Sequence, residues 1–215
     1  MPSSRKHVRK DSQKKPEDEP VTMSKTRIIA EDTVVLFADL QPGIADLPMT
    51  VTSERLRKGV SGLARLAALF GIPALATVVQ GRDAGSPAIM PEINRALGML
   101  DVVQRVTADA FRNETILKTI NACGRKTVLI SGVATELAVQ LPALTGSDLG
   151  YRIFVVVDAC GGMSSRTEQA ALQRMQAAGV NLVSVMTLAG ELAPNLGDAM
   201  GQKAVPIIFE MATAG

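Results

Sequence analysis

Three places in this chain hold residues able to do chemistry. Asp39 follows the apolar run Val34-Val35-Leu36-Phe37-Ala38, so its carboxylate emerges from a buried strand, and such burial raises a carboxyl pKa and suits a proton carrier. Arg105 closes a second strand, Val102–Arg105. Its guanidinium stays protonated, so it can hold a neighbouring carboxylate ionised or clamp a substrate carboxylate, but it cannot shuttle protons as a lysine of lowered pKa can. The third place is Gly132-Val133-Ala134-Thr135-Glu136-Leu137-Ala138-Val139, where an apolar strand passes into a helix. A helix N-terminus offers unpaired N–H groups and the positive end of a dipole, which stabilise an oxyanion and would lower the pKa of a thiol. Taken singly these side chains are ambiguous. An aspartate ahead of Pro42-Gly43 is commonly a turn residue, and an arginine after a strand is commonly solvated.

Other catalytic partners are scarce. The only histidine, His7, lies in the N-terminal tail, which leaves no Ser-His or Cys-His pair in the remainder. Cys123 and Cys160 sit in unrelated segments without Cys-x-x-Cys spacing, so neither a disulfide framework nor a zinc site is implied, and a reducing compartment is expected. Cys160 follows Val157-Asp158-Ala159 with no basic neighbour, and Cys123 shares a helical spacing with Ile116 and Ile120; structural roles are expected for both.

Short apolar runs alternate with helical patterns from Thr33 onward, the signature of a parallel sheet covered on both faces. Strands are predicted at Val34–Asp39, Ala74–Val79, Val102–Arg105, Thr127–Ser131, Ile153–Asp158 and Leu182–Val185. Leu56, Val60, Leu63, Ala67 and Phe70 mark an amphipathic helix that stops at Gly71-Ile72-Pro73. Further helices are predicted at Glu114–Cys123, about Thr135–Leu149 and Arg166–Ala178, each ending on a glycine. Pro142 removes the hydrogen bond that would satisfy the Ala138 carbonyl, so a kink is expected just past that residue. Gly81–Leu100 is a long connection with at most a short helix near Glu92–Leu97, and such connections often line a site.

The ordered combination of Asp39-Leu40-Gln41, Arg105-Val106-Thr107-Ala108-Asp109-Ala110-Phe111 and Gly132-Val133-Ala134-Thr135-Glu136 resembles the isochorismatase-like cysteine hydrolases over about residues 30–197. The Leu188–Leu192 segment is similar to the YcaC-like branch, in which arginine occurs where the wider family has lysine. The resemblance implies a three-layer α/β/α doubly wound sheet of about six parallel strands in the order 3-2-1-4-5-6, which sets the ends of the first and fourth strands side by side where ligands bind. It implies Asp39 as general acid or base, Arg105 as its electrostatic partner, and Gln41, Ala134, Thr135 and Leu137 as oxyanion-stabilising or substrate-binding residues. It also implies a cis peptide bond at Val133–Ala134. Ala138 occupies the slot of the family's nucleophilic cysteine, and a methyl group cannot attack a carbonyl. Three explanations are open: an engineered replacement, a natural member with a cysteine-free reaction such as the vinyl-ether hydrolysis of true isochorismatases, or a non-catalytic relative that binds a ligand or assembles. The family's nicotinamidase metal cluster needs histidines that this chain lacks beyond His7, so neither metal nor cofactor is expected.

With 215 residues, 47% hydrophobic and 20% charged, the chain suits one domain able to bury a continuous core. Residues 1–25 carry seven Lys/Arg against four Asp/Glu, a formal +3, and lack hydrophobic periodicity; they are expected to be a disordered tail. Residues 26–215 carry 16 Lys/Arg against 17 Asp/Glu, a formal −1, so the basic balance belongs to the tail and no nucleic-acid partner is expected. No apolar run has the length of a membrane span, and the N-terminus has no secretory pattern, so a cytoplasmic protein acting on a small molecule is expected. The apolar segment Ala204–Phe209 is expected either to dock on a second copy in a homo-oligomer or to fold back onto its own domain.

Overall fold

A computed structural model describes residues 26–80 and 88–213. The charged segment 1–25 and residues 81–87 of the long connection lie outside the described residues. The strands are β1 (Thr33–Ala38), β2 (Ala74–Val79), β3 (Asp101–Arg105), β4 (Thr127–Val133), β5 (Arg152–Gly161) and β6 (Asn181–Val183). They pair in parallel in the order β3-β2-β1-β4-β5-β6. The order reverses between β1 and β4, as expected for a doubly wound sheet.

Alternation along the central strands builds two cores. Val35 and Phe37 of β1 join one buried cluster, Val34 and Leu36 the other, because successive side chains leave opposite faces of a strand. Helices α1 (Ser53–Leu69) and α2 (Pro91–Leu97) cover the first face, together with α6 (Val185–Leu192) and α7 (Ala199–Ala212). The second face is covered by α3 (Glu114–Ala122), α4 (Gln140–Asp148) and α5 (Ser165–Ala177). Burying a side chain such as Leu36 or Phe37, neither of which is exposed, contributes about 1.5–3 kcal/mol.

The structure refines the sequence reading in several places, and at the C-terminal segment it selects one of the two expected outcomes. The single helix expected over 135–149 begins as one turn of π-helix, Thr135–Val139, and continues as α4 from Gln140. Pro142, which has no N–H to give the Ala138 carbonyl, stands just past that junction. β5 runs on to Gly161 instead of stopping at Asp158, and Cys160 pairs with Gly132 inside the sheet. Residues 156–159 bulge opposite Ser131, whose hydroxyl donates to the Ala159 carbonyl at 2.6 Å. β6 ends at Val183, and Val185 already opens α6, its amide donating to Asp158. The apolar C-terminal segment is helical and folds back: Ile207 and Met211 of α7 lie against Gly62 of α1.

Gly132 sits where the sheet order reverses, opposite Ala38. A Cβ there would lie 2.3 Å from the Ala38 carbonyl oxygen and 2.8 Å from the Ala38 Cβ, so only glycine lets β1 and β4 close at their carboxyl ends. Gly132→Ala is expected to cost about 1–3 kcal/mol or more in urea unfolding, because both contacting groups belong to a buried strand that cannot yield cheaply.

Candidate active site

Asp39 is the first residue beyond β1. Its amide makes a last ladder bond to the Thr77 carbonyl at 3.0 Å, and the chain then turns through a left-handed backbone at φ 56°. Aspartate tolerates that conformation better than most residues, and the sharp exit leaves its carboxylate between strands. Thr77 of β2 donates from its hydroxyl to Asp39 Oδ1 at 3.0 Å. Arg105, the last residue of β3, donates from Nη2 to Asp39 Oδ2 and from Nη1 to the Thr107 carbonyl.

β3 and β1 are separated by β2, two inter-strand spacings of about 4.8 Å. Arg105 is therefore a long side chain crossing the end of β2 to a carboxylate one strand farther on. Both partners are almost wholly buried, Asp39 at 4% and Arg105 at 3% exposure. Burial pushes the Asp39 carboxyl above its usual range, while the Arg105 charge and the Thr77 and Arg105 hydrogen bonds pull against it. The Arg105 Nε is a buried donor without an acceptor among the described residues. Gln41 closes the floor from the side: its Oε1 accepts from the Val79 amide at 2.8 Å and its Nε2 donates to the Val79 carbonyl at 3.1 Å. A side-chain amide thus extends β2 in place of another strand.

The loop after β4 supplies the opposite wall. The Val133–Ala134 peptide bond is cis, as expected. The Ala134 carbonyl then accepts from the amides of Leu137 at 3.1 Å, Ala138 at 2.9 Å and Val139 at 3.4 Å, which defines the π turn. The side chain of Thr135 is buried and donates to Glu168 of α5 at 2.8 Å, tying the loop down from behind. Glu136 accepts from the Met163 amide at 3.0 Å and from the Thr167 hydroxyl. Burial alone would raise the Glu136 pKa, but hydrogen bonds from Thr167 and from its own, Met163 and Ser164 amides hold it below the usual range.

Asp39, Arg105, Ala134, Leu137 and Ala138 line one cavity of about 460 Å³. Gln41 and Thr135 stand behind its wall with their side chains already engaged. Ala138 is 1% exposed, its methyl packed into the wall. Among the described residues no group of three or more His, Cys, Asp or Glu is placed to hold a metal ion, and no helix is long and apolar enough to cross a membrane.

Residues 33–187 match the isochorismatase domain. The chain belongs to the isochorismatase family. It is 30% identical to the probable hydrolase YcaC of Escherichia coli over 80% of this chain and 83% of that one. The crystal structure of that Escherichia coli protein, described as an octameric hydrolase of unknown specificity, superposes with a TM-score of 0.78 at 28% identity, covering 88% of this chain and 96% of the other. YcaC from Pseudomonas aeruginosa, solved with hexane-2,5-diol and covalent acrylamide, gives 0.78 at 27% identity over 90% and 98% of the two chains.

Sequence reasoning passed over Thr77, although a threonine inside the apolar run Ala74–Val79 was a usable signal: a buried hydroxyl needs a partner. Ile44, Leu47 and Met163 of the cavity wall carried no signal, because the loops that bring them there have no periodicity. Cys160 is no substitute nucleophile. Burial pushes its thiol up to about 12, so the thiolate is absent near neutral pH.

Removing one partner of the buried pair leaves the other charge unpaired. Arg105→Ala is expected to cost about 3–5 kcal/mol in chemical unfolding at mildly alkaline pH, and adding Asp39→Asn should recover part of that loss. In the native protein Cys160 should resist an aromatic disulfide reagent while the half-buried Cys123 reacts; both should react in denaturant.

Proposed function

We propose that this member of the isochorismatase family is a hydrolase scaffold for a small-molecule amide or related C–N bond. Asp39 moves the proton, Arg105 holds Asp39 in place, and the start of the β4 loop, at Ala134, lies beside the oxygen on which charge develops. The observation that carries the reading is the convergence of the buried Asp39–Arg105 pair and the β4 loop on one cavity at the reversal of strand order. The description of the Pseudomonas aeruginosa relative, solved with covalent acrylamide, supports an amide as the substrate type. The octamer described for the Escherichia coli relative supports a homo-oligomeric state here.

Ala138 divides the possible reactions. With a methyl group at 138 no acyl-enzyme can form, so amide hydrolysis by nucleophilic attack requires a thiol there. A reaction needing only a proton donor stays open to the chain as it stands, because burial raises the Asp39 carboxyl above its usual range while the Arg105 charge and the Thr77 and Arg105 hydrogen bonds pull against it. The two chemistries use opposite forms of Asp39. A base acts when ionised, so amide hydrolysis by the Ala138→Cys protein should rise as pH climbs through a pKa above the ordinary 3.8. An acid acts when protonated, so vinyl-ether hydrolysis by the unaltered chain should fall over the same window. Steady-state assays of both proteins on a panel of amides and a vinyl ether separate these outcomes, and Asp39→Asn should lower either activity by about 10²–10⁴-fold. Silence of both proteins on every substrate would leave a binding module and overturn the proposal.

A further inference from the structure

The charges lining the cavity are already spoken for. Arg105 donates from both terminal nitrogens, to Asp39 and to the Thr107 carbonyl, and its Nε is buried beyond the reach of solvent. The pair is neutral as a unit. Among the described residues Glu136 is the remaining charged residue of the wall, and its oxygens accept from Met163 and Thr167. A substrate carboxylate would therefore meet, among the described residues, no free cation and one like charge, and would lose its hydration without compensation from them. An ammonium group would have to compete for carboxylate oxygens that protein donors already occupy.

The mouth has a different character. Val106 is 89% exposed, Leu137 51%, Leu47 46% and Met163 44%, and all line the same cavity. Large apolar side chains gathered on one rim, above a floor of paired charges, fit a ligand with one polar head and an apolar body. These four come from four separate segments: the turn after β1, the residue after β3, the π turn and the loop after β5.

We propose that the cavity selects uncharged amides carrying an apolar chain and discriminates against carboxylate and ammonium analogues of the same length. The inference rests on reading this cavity as the substrate site, and it names the substrate class of that site. Arg105 is thereby a positioning residue for Asp39, and substrate charge recognition is not its role. Specificity comes from desolvation: the correct ligand has no charge to strand and a chain to bury.

Because Ala138 prevents covalent capture, binding can be measured on the full chain without turnover. Isothermal titration with hexanamide, acetamide, hexanoate and hexylammonium is the test. Hexanamide should bind about tenfold or more tightly than acetamide, since each added buried methylene strengthens binding severalfold. It should also bind at least about tenfold more tightly than either charged analogue. Leu137→Glu should weaken hexanamide by a larger factor than acetamide. Hexanoate or hexylammonium binding as tightly as hexanamide, or affinity independent of chain length, overturns the inference. It is equally overturned if Leu137→Glu changes only the assembly mass in light scattering, for the rim would then be a subunit contact. The hydrolase reading fails separately, by absent turnover in both the unaltered and the Ala138→Cys proteins, so the two failures are distinguishable.

Discussion

The ion pair between Asp39 and Arg105 is the constraint around which the carboxyl edge of this sheet is arranged. It joins β1 to β3 across the end of β2, and both charges are nearly removed from water. Such a pair is poor evidence for stability, since desolvating two ions costs several kcal/mol each before their attraction repays it. Its value is geometric. Once buried, neither charge can move without stranding the other, so the carboxylate is held at one point against the β4 loop. Thr77 adds a neutral donor on the other oxygen, and the left-handed backbone of Asp39 turns the chain at the end of β1.

The supporting residues show how the sheet edge is kept open for a ligand. Strand ends leave unpaired peptide groups, which water or another strand would normally satisfy. At Val79 the side-chain amide of Gln41 does this instead, supplying one donor and one acceptor in the spacing of a peptide. On the opposite side, Thr135 and Glu136 fasten the π turn to α5 and to the loop before it. The polar residues of the region therefore spend most of their hydrogen bonds on one another, and what they leave facing the cavity is largely hydrocarbon.

Much of this was legible in the sequence. Val34–Ala38 and Thr127–Ser131 read as buried strands because a parallel sheet covered on both faces needs apolar residues throughout. Strand order was not legible from periodicity, which carries no information about neighbours; it came from the family motif. The π turn escaped because the pattern from Thr135 to Leu149 is helical on either reading, and only the hydrogen bonds of the Ala134 carbonyl distinguish one extra residue per turn. The continuation of β5 escaped for a related reason: the bulge at 156–159 breaks the register, and Gly161-Gly162 reads as a stop. α7 was hidden by Pro206, which a sequence reading takes as a helix breaker, although the helix passes through it.

Residue 138 is structurally separable from the rest of the site. The bonds that shape the π turn belong to the backbone of Ala134, Leu137, Ala138 and Val139 and to the side chains of Thr135 and Glu136. None of them uses the side chain at 138. Alanine and cysteine differ there by one sulfur, and a small buried hydrophobe of either kind meets the same packing demand. The fold therefore exerts no pull toward the nucleophile and would keep its polar framework intact without it. On the proposed reading, what a methyl group changes is the chemistry alone: it removes a thiol while leaving the Asp39–Arg105 pair, the loop backbone and the apolar mouth in place. A scaffold built this way can gain or lose one reaction at a single position while retaining the ability to hold the same class of ligand.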